Sequence, residues 1–151
     1  MDERYEEVRR IIAESGDITD FAEYGHGASE EWIEAAEAAL GMTLPKSYKW
    51  WLRHYSGGEV GGEEFFSIYE IDFDTVVGGD IVYIHRIKQK NGLLESRQLA
   101  ICDSDLDGTF YFDMSRTDED GEAPVYSLVT GKEYARDFLE FLKKRIALFE
   151  R

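Results

Sequence analysis

The stretch Glu30 to Gly58, EEWIEAAEAALGMTLPKSYKWWLRHYSGG, constrains the chain most. It reads as two helices joined by a tight bend. In the first, Ile33, Ala36, Glu37 and Leu40 recur at helical spacing, and the alanines Ala35, Ala38 and Ala39 favour helix. Ser29 is placed as an N-cap, and Gly41 as a stop that takes the left-handed conformation cheaply. Pro45 suits the first turn of a new helix, where its missing N–H costs nothing. There Tyr48, Trp51, Leu52 and Tyr55 fall at i, i+3, i+4 and i+7, and Gly57-Gly58 ends the run. Core packing is the expected role of these aromatics, ahead of a ligand platform.

The flanks add strands. Arg4 to Glu14 predicts a first helix, with Tyr5, Val8, Ile11 and Ile12 on one side, and Ser15-Gly16-Asp17 breaks it. Ile18 to Gly27 reads as irregular. Glu64 to Phe73 is aromatic and β-branched, which predicts a strand. Gly79 to Gln89 predicts a short helix capped by Asp80, although Ile81 to Ile84 is also strand-prone. Asn91-Gly92 is a turn. Leu99 to Cys102, Thr109 to Met114 and Val125 to Val129 read as strands. Thr130 to Glu133 resembles a capping box before a last helix bearing Tyr134, Phe138, Phe141, Leu142 and Phe149. Lys143, Lys144 and Arg145 are placed near that helix's C-terminal end, where cations suit the dipole. Helices first, strands in the middle and a helix last predict an α+β fold, one domain with an antiparallel sheet and a C-terminal helix packed on it.

A helix ending in Leu40-Gly41, then Leu44-Pro45, Tyr48, Trp51-Leu52 and Gly57-Gly58, resembles the opening signature of the SUKH superfamily. Ile33 and Glu37 match it as well. The run Leu99 to Cys102, then Gly108 to Asp113, then Pro124 to Tyr126 and a closing helix follow that family's order of elements. The resemblance covers about Glu30 to Phe149. The superfamily includes the Smi/Knr-type cell-wall-regulator homologues and many bacterial immunity proteins. It therefore implies a protein that binds and neutralises a toxin domain, often a nuclease, with a regulatory scaffold as the alternative.

Charge bears on the same question independently. The 151 residues carry a formal net charge of −15, which repels phosphate backbones and anionic lipid and attracts a basic partner. Residues 59–80 and 102–124 together hold 15 acids and one base, and the remainder holds 17 acids and 16 bases. Nearly the whole imbalance therefore lives in two stretches. If the sheet brings them together, they form one negative face that a basic partner would neutralise. The expected contacts are Glu63, Glu64, Glu70, Asp72, Asp74, Asp103, Asp105 and Asp107, with Tyr69 and Tyr111 as aromatic anchors.

Other motifs point elsewhere. Asp105 to Thr109 matches the DxDGT letters of haloacid-dehalogenase-type phosphatases, but only about 40 residues follow, too few for that fold's body. Asp103 to Gly108 matches the start of a calcium loop, yet its twelfth position is Met114 instead of Glu. A hairpin turn explains the same residues, and a metal-assisted hydrolase using Asp103, Asp105 and Asp107 is the enzymatic alternative. His26, His54 and His85 lack ligand spacing. No catalytic residue, metal or cofactor is expected. Cys102 is the single cysteine and lies beside acids, so a core role is expected for it. A charged N-terminus, no long apolar run and no disulfide pair predict a cytoplasmic protein.

Overall fold

The computed structural model describes residues 2–150. The chain opens with helix α1 (Glu3–Glu14) and strand β1 (Thr19–Phe21). Helices α2 (Glu30–Leu40) and α3 (Lys46–Tyr55) follow, then strands β2 (Gly58–Val60) and β3 (Glu63–Phe65). Helix α4 (Ile81–Lys90) precedes strands β4 (Gln98–Ser104), β5 (Gly108–Asp113), β6 (Val125–Ser127) and β7 (Glu133–Ala135), and helix α5 (Phe138–Phe149) closes the chain. The strands form one antiparallel sheet whose spatial order is their chain order. The architecture is the expected α+β arrangement, with helices first, a central sheet and a helix packed on it.

The local signals act as the sequence predicts. Ser29 Oγ accepts the Trp32 N–H at 3.3 Å, and Gly41 terminates α2 at φ 70°. Asp80 Oδ1 accepts the N–H groups of Val82 and Tyr83, which commits a strand-prone run to helix. Pro45 stands one place before α3, as its N-cap. That helix start lacks a cap from its own side chains, and Glu122 supplies one from 75 residues away. Its carboxylate accepts the Ser47 N–H at 3.1 Å and the Ser47 hydroxyl at 2.8 Å. An anion at a helix N-terminus satisfies orphan donors and suits the dipole.

One face of the sheet holds the aromatic core. Tyr48, Trp51, Phe65, Phe110, Phe112, Phe138 and Phe141 are all fully buried and meet mostly edge-on or tilted, with Tyr48 stacked on Trp51. The Tyr48 hydroxyl donates to the Phe66 carbonyl at 2.6 Å, so its one polar atom is satisfied. The α3 aromatics are core, as their spacing predicts.

Four expectations fail at element boundaries. Residues within 18–27 form strand β1, because Thr19 to Phe21 pair with β2. The strand expected over 64–73 is only Glu63–Phe65. Beyond it Ser67 bridges to Asp80 and the Asp80 carboxylate takes the Tyr69 N–H, which draws the chain off the sheet. The capping box is Asp137 to Glu140, not Thr130 to Glu133. Asp137 accepts the Glu140 N–H while Glu140 accepts the Arg136 N–H. Glu133 belongs instead to β7, paired with β6. Lys143, Lys144 and Arg145 do not lie in the last turn of α5; Lys143 bonds Glu7, Lys144 donates to the Tyr134 carbonyl, and Arg145 is fully buried.

Candidate protein-interaction site

Strands β3 and β4 join the two acidic stretches. Phe65 stands opposite Cys102. Continued along the antiparallel strands, that register brings Glu63 to Ser104, whose hydroxyl bonds it, and Glu64 towards Asp103. Alternation along the strands sends the two pairs to opposite faces.

On the α5 face, Glu63 is buried and accepts from Ser104 Oγ at 2.6 Å. Arg145 reaches up from α5 and donates to Glu63 at 2.7 Å, to Asp107 at 2.8 Å and to Tyr134. Burial works against the Arg145 charge, and its bonds to Asp107, Tyr134 and Glu63 outweigh that, so its pKa is raised. Cys102 lies on this side. Burial first, then the Glu63 charge, push its thiol up to about 12, so it remains protonated.

On the opposite face, α4 lies against β4. Lys88 contacts Asp103 at 3.1 Å, and Thr109 donates to Asp103 at 2.6 Å. Glu64 is half-buried and accepts the Tyr69 hydroxyl at 2.5 Å. Burial, followed by this bond to Glu64, pushes Tyr69 up to about 12. The 69–79 loop stands on this side, tied down by the Phe73–Trp32 ring contact and by Arg86 donating to the Phe73 carbonyl. Its acids stay exposed. Glu70 accepts the Ser29 N–H, Asp72 accepts the Asp74 N–H, and Asp74 faces Arg86 at 3.8 Å.

The ten candidate contacts therefore separate. Glu64, Glu70, Asp72, Asp74, Asp103 and Tyr69 share the α4 side. Asp105 is exposed in the β4–β5 turn. Glu63 is spent inward on Arg145, and Asp107 shares that cation while staying half exposed. Tyr111 is only 8% exposed, stacked on Tyr126, and offers little anchoring surface. Further along the second stretch, Asp118 to Glu122 lie beyond the far end of β5, where Glu122 serves the start of α3. The acidic stretches meet at one register point but do not merge along their whole length.

Sequence reasoning missed Arg145 as an organiser. Its signal was position: Phe138, Phe141, Leu142, Arg145 and Phe149 keep helical spacing, so the arginine falls on the apolar stripe. Asp103 and Asp107 bind different cations on opposite faces. Among the described residues, no group of three or more His, Cys, Asp or Glu is placed to hold a metal ion. No helix among them is long and apolar enough to cross a membrane.

These features define an acidic α+β domain with one charged face outward and one neutralised inward. The family model described as SMI1 / KNR4 family (SUKH-1) matches residues 27–144, and the chain belongs to that family. The signature residues it spans have structural work here. Glu37 accepts the Leu44 N–H at 2.7 Å and pairs with Lys49 at 3.3 Å, which holds the bend between α2 and α3.

Proposed function

We propose that this protein is a cytoplasmic immunity protein that binds and neutralises a cognate toxin domain, through the acidic side bearing α4. Membership of the family supports the general role. The observation that carries the acidic contact is the β3–β4 pairing at Phe65 and Cys102, which brings the two acidic stretches side by side. Like charges directly opposite on a sheet repel. The fold offsets part of this with Lys88 on Asp103 and the Tyr69 hydroxyl on Glu64, and a basic partner would relieve the remainder. Lys88 and Arg86 offset only part of the charge, leaving Glu70 and Asp72 without an ion pair among the described residues. A basic nuclease domain has the complementary surface, and steering by the net charge of −15 speeds its capture. The role is occlusion and involves no catalytic step.

The test is co-purification with the C-terminal domain of the protein encoded beside it, over a salt series. Retention at low salt that weakens steeply as salt rises supports the reading. Asp74→Lys leaves the Asp72 turn cap in place and should weaken binding and flatten the salt dependence. Unchanged affinity in that variant would remove the acidic side from the interface.

A further inference from the structure

Two turns at one end of the sheet hold apolar side chains that nothing among the described residues covers. Leu106, in the β4–β5 turn, is 72% exposed, and Val129, in the β6–β7 turn, is 73% exposed. Single exposed apolar residues are ordinary. These two line one cleft of about 230 Å³, together with Phe110 and Tyr134. Phe110 is core, so the cleft opens directly onto packed aromatic surface. The turns approach this closely because residue 108 is glycine. A Cβ there would lie 2.5 Å from Val129 Cγ2, and its φ is 77°.

The rim is charged. Asp105 and Asp107 flank Leu106 in the chain and are exposed, and Glu133 and Lys132 line the opposite side. Arg145 bonds Asp107 from below and leaves Asp105 unpaired among the described residues. An apolar centre inside a polar rim is the anatomy of a protein-binding hot spot.

We propose that this cleft receives one apolar side chain of the toxin domain, flanked on the toxin by lysine or arginine. The inference rests on the immunity reading and names the anchor it lacks. Charge selects the occupant. A second copy of this chain would bring another −15 against a chain of the same charge, whereas a basic partner is attracted to it. The cleft supplies desolvated contact, and the α4 side supplies steering. The two contributions are separable because the apolar contact of Leu106 and Val129 is not screened by salt, whereas the steering is.

The experiment compares the wild-type chain with Leu106→Ser, Val129→Ser and Asp74→Lys. Affinity for the C-terminal domain of the neighbouring protein is measured by calorimetry at several salt concentrations. Both serine variants alter exposed turn positions, and an unchanged thermal midpoint verifies their folding. Each should lose affinity by about tenfold or more with the salt slope unchanged. Wild-type affinity in both, with Asp74→Lys still weakened, would overturn the anchor and leave the immunity reading standing. Absence of wild-type binding at every salt would overturn the reading and the anchor with it. Sedimentation that finds a wild-type dimer and a monomeric Leu106→Ser would assign the cleft to a second copy instead and overturn the proposal.

Discussion

Glu63 and Glu64 are neighbours on one short strand and meet opposite fates. Glu63 points to the α5 face, is buried, and is matched by Arg145 and Ser104. Glu64 points to the α4 face, where it is half-buried, accepts the Tyr69 hydroxyl and has no ion pair among the described residues. The same carboxylate chemistry holds the fold on one face and is left available on the other. Acid count therefore does not measure binding surface. What decides is whether the fold buries a particular carboxylate against a cation, as it does Glu63 against Arg145.

The largest effect should come from removing that cation. Arg145→Met leaves Glu63 buried without its partner, and loss of one member of a buried pair costs about 3–5 kcal/mol. Urea unfolding measures this. The double variant Arg145→Met with Glu63→Gln should recover much of the loss, because no buried charge is then left uncompensated. A single variant as stable as wild type would erase the distinction between the two faces.

Glu122 offers a smaller and sharper test, since it is a third acid turned inward. Burial is the main cause of its raised pKa, with the Ser47 bonds opposing and Asp137 and Asp118 adding. The folded state thus holds the Glu122 proton more tightly than the unfolded chain does. That contribution favours folding at low pH and is lost as pH rises from the ordinary carboxyl value of about 4.3 through the raised one. Glu122→Gln keeps an acceptor for Ser47 and should flatten stability against pH across that window. An unchanged slope would show that the carboxylate is not held against its burial.

The smallest effect belongs to the outward face. Glu64→Gln removes the repulsion with Asp103 and should stabilise the fold by about 0.5 kcal/mol or less. It should also bring the Tyr69 hydroxyl down from about 12, which an ultraviolet titration reads. Destabilisation would mean that Glu64, like Glu63, serves the fold. A Tyr69 value that stays put would assign its rise to burial alone.

Much of this was legible because it is local. Ser29, Gly41 and Asp80 act within a few residues of where they stand, so caps and stops follow from short-range hydrogen bonding and dihedral preference. The α3 aromatics follow from helical period, and the single antiparallel sheet from the order of elements. The misplaced boundaries are sites where two local signals compete. Thr130 to Glu133 and Asp137 to Glu140 both carry a capping pattern, and pairing with β6 chooses between them. Ser67 and Tyr69 are drawn from the sheet by Asp80, which no window over 64–73 contains.

By itself the sequence determined the fold class, the helix caps, the aromatic core and the concentration of charge into two stretches. Each of these depends on residue type and near-neighbour spacing. Only the tertiary structure decided which acids remain outward. That outcome turns on a β3–β4 register linking residues about 40 apart and on Arg145, which lies 82 positions beyond Glu63. Alternation makes Glu63 and Glu64 face opposite ways, but nothing local says which face receives the arginine. The exposed cleft beneath Leu106 and Val129 has the same origin, since it exists only where two turns of the folded sheet come side by side.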